Sequence, residues 1–174
     1  MTESHQGSSA EFAATYRDMM LDGLRREMQT TKKVISAVPD TRRDYKPDPK
    51  ARNAWELAWH LVTVDVQFLE EIAEGKFNME PRYKDEPATV AEMAAWYDKH
   101  FTQSIEKVGD MNGEQLVQIL DFYGAFKLPA YAYIGFVNNH SIHHRGELVT
   151  YLRPMGSKVP SVYGPSADEE WKAA

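Results

Sequence analysis

The stretch Asn138-Asn139-His140-Ser141-Ile142-His143-His144-Arg145-Gly146-Glu147 carries three of the chain's six histidines, and its reading decides the fold. It lies in a run that Pro129 can open, as a first-turn proline, and that Pro154 and Gly156 break after about Arg153. On a helix, residues four apart lie one above the other, about 5–6 Å between Cβ atoms, so His140 and His144 can aim two imidazoles at one point. His143, three residues from His140, competes with His144 on spacing alone. The same face carries Phe136, Glu147 and Tyr151.

Working outward, three further segments step by three and four. The first opens on Ser8 with Glu11 at capping-box spacing and places Phe12, Tyr16, Met19 or Met20, Leu24, Met28, Val34 or Ile35, and Val38 on one predicted buried stripe, ended by Pro39. A polar connection with Pro47 and Pro49 leads to Asn53 and Glu56, a second capping box, and a helix to about Glu74 stopped by Gly75. A third helix starts from Thr89 with Glu92 and runs to Gly109. The β-prone residues 116–123, followed by Gly124, can pair with residues 125–128 as a short hairpin or form a long loop. The reading is therefore all-α: a four-helix bundle with a long connection before the last helix and an irregular C-terminal tail. It is one domain over residues 1–174, with its core at about 9–153 and its tail at 154–174.

Composition narrows the chemistry. Zero cysteines remove thiolate nucleophiles, disulfides and every Cys-containing zinc site, so a metal here must use His and carboxylates. With 20 Lys and Arg against 26 Asp and Glu, the formal charge is −6 and no basic run exceeds two residues, which argues against nucleic-acid or anionic-membrane partners. Residues 128–144 form the longest stretch without a formal charge, too short and too polar for a membrane span. The first nine residues are polar and acidic where a signal peptide would be basic and then apolar, so a cytoplasmic location is expected.

The second helix offers a third imidazole. His60 lies beside its apolar row of Leu57, Leu61, Val64, Phe68 and Ile72, on a polar stripe with Glu56, Thr63 and Gln67. Such a stripe at the edge of a buried face is costly unless wetted or paired, and lining a pocket meets both needs. His5 and His100 receive no role, and Trp55, Trp59 and Trp96 read as core.

These residues resemble the DinB/YfiT-like family of bacterial four-helix proteins. The resemblance rests on His60 within Trp55-Glu56-Leu57-Ala58-Trp59-His60-Leu61 and on H-x-x-x-H followed by Arg-Gly at His140, His144, Arg145 and Gly146. The Asp44-Tyr45-Lys46-Pro47 connection and the ending Arg153-Pro154-Met155-Gly156 fit as well, so it covers nearly the whole chain. It implies a divalent-metal site, zinc or nickel, with His60, His140 and His144 as ligands, since His144 directly precedes Arg-Gly. Glu147 stands where such proteins often have Gln; it is the candidate for catalysis or for orienting a ligand, and Gln67 and Tyr151 are expected to line the pocket. Some relatives are thiol-dependent transferases or isomerases and are often homodimers. The implied function is a metal-dependent transferase or hydrolase acting on a small molecule, with S-transfer from a low-molecular-weight thiol as one form. The alternative is a non-catalytic metal-binding or stress-related protein whose metal is structural.

Overall fold

The computed structural model describes residues 3–170, with side chains from residue 9 onward. The elements are α1 (Glu3–Ser36), a single 3-10 turn (Asp40–Arg42), α2 (Ala54–Glu74), α3 (Val90–Gly109), α4 (Gly113–Val117), strands β1 (Ile119–Phe122) and β2 (Phe126–Pro129), and α5 (Ala130–Leu152). His5 lies outside the residues whose side chains are described.

Most helix ends fall where local chemistry puts them. Asn53 accepts from the Glu56 amide at 2.7 Å and Glu56 accepts from the Asn53 amide at 2.8 Å, a reciprocal box that satisfies two otherwise orphaned donors. Thr89 and Glu92 do the same for α3. Gly75 ends α2 in the left-handed region at φ 73°, where a side chain would be strained. Thr89→Ala is expected to cost about 1 kcal/mol, read as a lower denaturant midpoint with unchanged slope.

Two boundaries differ from the sequence reading. Helix α1 extends to Glu3, so Ser8 is inside it; nothing between Glu3 and Ser8 breaks a helix as proline would. The pair Asn112-Gly113 reads in sequence as a turn, but Asn112 caps the five-residue α4, accepting from the Gln115 amide at 3.0 Å. The α1 stripe is buried as read at Leu24, Met28, Val34, Ile35 and Val38, with Met20 partly buried against the core, but nearer its start Ala13 and Leu21 are buried while Phe12 and Met19 are largely exposed. Phe12 instead makes edge contacts with the Tyr131 ring at the rim.

Helices α1 and α2 each pack against both α3 and α5, so consecutive helices α1 and α2 occupy diagonal corners, as do α3 and α5. Crossing a diagonal requires a long connection, and residues 37–53 and 110–129 supply the two. The second contains the antiparallel hairpin, with Phe122 opposite Phe126. Tyr133 pins it to α5: its hydroxyl donates to the Leu120 carbonyl at 2.9 Å and accepts from the Leu128 amide at 3.2 Å. At the turn, Tyr123 and Gly124 both adopt positive φ, 55° and 75°. The aromatic rings of Phe68, Phe77, Phe122 and Tyr133 pack the hairpin against α2.

After α5 the tail has no regular structure and lies along α1. Ser157 donates to the Ala37 carbonyl at 2.6 Å, and Lys33 pairs with Glu169 at 2.7 Å. Among the described residues no helix is long and apolar enough to cross a membrane.

Candidate metal centre

The facing pair α2 and α5 brings His60, His140 and His144 together, with ligand-capable atoms all within 4.8 Å of one another. His140 Nε2 lies 3.4 Å from His60 Nε2, and the His60 and His144 ring centroids are 4.8 Å apart. Two imidazole nitrogens on one tetrahedral zinc at about 2.0–2.1 Å are about 3.3 Å apart, so the first separation is already that of a shared ion. Of the two histidines left open by spacing, His144 faces His60. His143 is exposed on the outer side and forms a second close group with His144 and Glu147.

Carboxylates fix two of the rings. Asp65 Oδ1 lies 2.7 Å from His140 Nδ1, and Glu147 Oε2 lies 3.1 Å from His144 Nδ1. An ionised carboxylate only accepts, so each Nδ1 carries the proton and each Nε2 keeps its lone pair, the tautomer a metal ligand needs. Burial pushes the His60 pKa down to about 4, helped by the charge of Arg52 and by its two histidine neighbours. Burial also lowers that of His144, against the hydrogen bond it donates to Glu147. His60 and His144 are therefore neutral donors at physiological pH. This donor set, all nitrogen with carboxylates behind it, fits a divalent metal ion, and imidazole nitrogen suits zinc, nickel, copper and iron alike.

Asp65 is the residue that sequence reading missed. It is fully buried, and burial raises its carboxyl pKa; hydrogen bonds from His140, Ser141 and Tyr97 oppose the rise. The Tyr97 hydroxyl donates to Oδ2 at 3.1 Å. Ser141 also meets Thr31 at 3.2 Å, and Thr31 accepts from Arg145 at 3.0 Å. A continuous buried polar chain thus runs from the His140 ring to Arg145, and among the described residues no buried side-chain polar atom lacks a partner.

A cavity of about 280 Å³ opens beside His60, lined along α2 by Thr63, Val64, Gln67 and Glu71 and across from it by Tyr83 and Tyr123. Gln67 lines it, and its amide holds the opposite wall. Gln67 Nε2 donates to the carbonyls of Asn78 and Glu80, and Oε1 accepts from the Arg82 amide at 3.1 Å. Tyr151 is not in that wall. It is buried behind Glu147, donating to Oε1 at 3.3 Å. Glu147 therefore has one oxygen on His144 and the other on Tyr151, a position that orients a ligand. His100 stacks on Trp96 at 4.4 Å, away from the three histidines.

The chain matches the DinB family model over residues 12–173. It is 29% identical over 114 residues to the uncharacterized protein YjoA of Bacillus subtilis (strain 168), covering 64% of this chain and 73% of that protein. To the uncharacterized protein YrdA of the same organism it is 26% identical, covering 83% and 86%. Among solved structures, a DinB-like protein from Bacillus cereus ATCC 10987 superposes with a TM-score of 0.70 at 26% identity, over 83% of this chain and 95% of that one. The crystal structure of Bacillus subtilis YjoA gives a TM-score of 0.68 at 23% identity, over 82% and 96%, and speaks to the fold alone. With a family match across nearly its whole length and the same helical fold in solved relatives, this chain belongs to the DinB family.

Proposed function

We propose that His60, His140 and His144 hold a divalent metal ion, zinc or nickel, in a metal-dependent transferase or hydrolase acting on a small molecule. Thiol-dependent S-transfer is one form of that reaction. The supporting observation is that the three imidazoles converge, two of them backed by carboxylates, and that one of them, His60, lines a cavity.

When bound, such an ion polarises a substrate and lowers the pKa of a coordinated water or thiol. The chain's own residues supply the rest. Asp65 holds the His140 proton at Nδ1 and Glu147 holds that of His144, so both rings stay in one tautomer and one orientation. The Tyr151 hydroxyl in turn steadies Glu147, which makes Glu147 a positioning residue. His60 forms the cavity end of the set, so a molecule entering past Thr63 meets the centre on that side. With no cysteine in the chain, any thiol arrives from outside.

Elemental analysis of tag-free protein, exposed to Zn²⁺ or Ni²⁺ and desalted, tests the site. Wild type should retain about one equivalent per chain, and His140→Ala and His144→Ala far less. A wild-type content well below that, or wild-type content in both variants, overturns it. Ligands drawn from both α2 and α5 would also cross-link those helices, which is what favours a purely structural metal. Turnover separates the readings: if metal-loaded protein accelerates no conjugation across a panel of bacterial thiols and electrophiles, the transferase form fails.

Asp65→Asn presents an amide to His140 in place of an obligate acceptor. Zinc affinity is expected to fall about 10–100-fold with helical content unchanged. Unaltered affinity, measured by competition with a chromogenic chelator, would remove Asp65 from the centre.

A further inference from the structure

The cavity beside His60 is asymmetric in charge. No Lys or Arg lines it, and its one carboxylate is Glu71, three turns along α2 from His60 and roughly 16 Å of helix rise away. Most polar groups in the wall are committed to the protein itself. Thr63 donates to the Trp59 carbonyl, Tyr83 donates to Glu70, Tyr123 donates to the Asn78 carbonyl, and the Gln67 amide ties down the loop.

Glu71 is different. Only 1% of it is exposed, yet both of its hydrogen bonds, from Gln67 Nε2 at 2.8 Å and the Asn78 amide at 3.2 Å, fall on Oε1. Oε2 is left to the cavity. The surrounding cations do not neutralise it. Lys107 pairs with Glu70 at 2.6 Å, and Arg82 makes its two-pronged pair with Glu74, coming only to 4.0 Å from Glu71 Oε1. Three carboxylates thus share two cations, and Glu71 is the one without a close partner. The rings of Phe68, Tyr83 and Tyr123 in the same wall add aromatic faces, which attract cations.

We propose that this cavity binds a small organic molecule through a primary ammonium group that donates to Glu71 Oε2, with the rest of the molecule running toward His60. The ammonium subsite stands on the cavity alone; only the statement that the reacting end lies at His60 rests on the metal reading above.

The test uses metal-free protein, so the amine cannot be captured by an ion. Hexylammonium, hexanol and hexanoate, matched in length, are titrated by calorimetry at pH 7.5. Hexylammonium is expected to bind about ten-fold or more tighter than hexanoate, and Glu71→Gln to remove most of that preference. Equal or tighter binding of hexanoate by wild type overturns the proposal, as does an undiminished amine preference in folded Glu71→Gln. If Glu71→Gln does not fold, Val64→Trp, which fills the cavity without touching Glu71, replaces it. Loss of hexylammonium binding then supports the site, and retention overturns it. Failure here with one equivalent of metal still bound leaves the metal centre standing; success without metal uptake leaves the ammonium subsite standing and refutes the centre.

Discussion

Arg145→Ala is expected to melt about 10 °C below wild type, the largest loss of stability from any single substitution near the histidines. Arg145 is 1% exposed, packed between α1 and the tail. Its guanidinium donates to the Glu27 carbonyl at 3.2 Å, to the Glu27 carboxylate at 2.5 Å, to Thr31 at 3.0 Å and to the Tyr163 hydroxyl. Truncation leaves a cavity, a buried Thr31 short of a donor and a half-shielded Glu27 carboxylate without its counter-charge. Breaking a buried pair from one side costs about 3–5 kcal/mol, and a chain of this size loses about 2–4 °C per kcal/mol. Arg145→Lys keeps the charge but cannot reach Glu27, Thr31 and Tyr163 together, so it should fall between. Tyr163 belongs to the tail and donates to Glu27 at 2.7 Å, so the tail is anchored on the same cluster. Arg145→Ala is therefore expected to expose residues 157–170 to limited proteolysis. Wild-type melting in Arg145→Ala would mean that the cluster contributes nothing net.

The elements legible in sequence were those whose determinants are local. The Asn53 and Thr89 boxes and Gly75 act over three or four residues, so the bounds of α2 and α3 follow from reading along the chain. The i, i+4 pair His140 and His144 is local in the same sense. Which of two neighbouring histidines turns toward His60 is a tertiary question, and spacing left it open. Asp65 was missed for a different reason. It continues the buried series Leu61, Leu69 and Ile72, at steps of four, four and three, so a carboxylate occupied a core position in plain view. A charge on a buried stripe demands a partner, and that rule applied to Asp65 and Arg145 would have found both ends of the polar chain. Glu71 follows the same logic: it adjoins Ile72, but its cavity exists only once residues 78–83 and the hairpin close over α2. The apolar row through Val64 and Phe68 was also half right, since these two residues are only partly buried and line the cavity.

Metal removal is the second large effect. If the three histidines hold an ion in the folded chain only, free metal at about 100 times its dissociation constant stabilises the fold by about 2.7 kcal/mol, which raises the melting temperature by about 5–10 °C. The increment should be absent in His144→Ala, whose metal-free melting temperature remains close to wild type because His144 is partly exposed. Acid acts on the same centre. The His60 pKa is about 4 in the folded protein against 6.5 ordinarily, so between those values the unfolded chain binds a proton that the folded chain refuses. Metal-free stability therefore declines as pH falls from about 6.5 toward 4, and this contribution is flat above 6.5. His60→Gln, which cannot take up that proton, should flatten the decline while also losing the metal increment. A wild-type melting temperature unchanged by metal removal, with removal verified by elemental analysis, would contradict binding coupled to the fold. A decline equally steep in His60→Gln would place the acid sensitivity elsewhere.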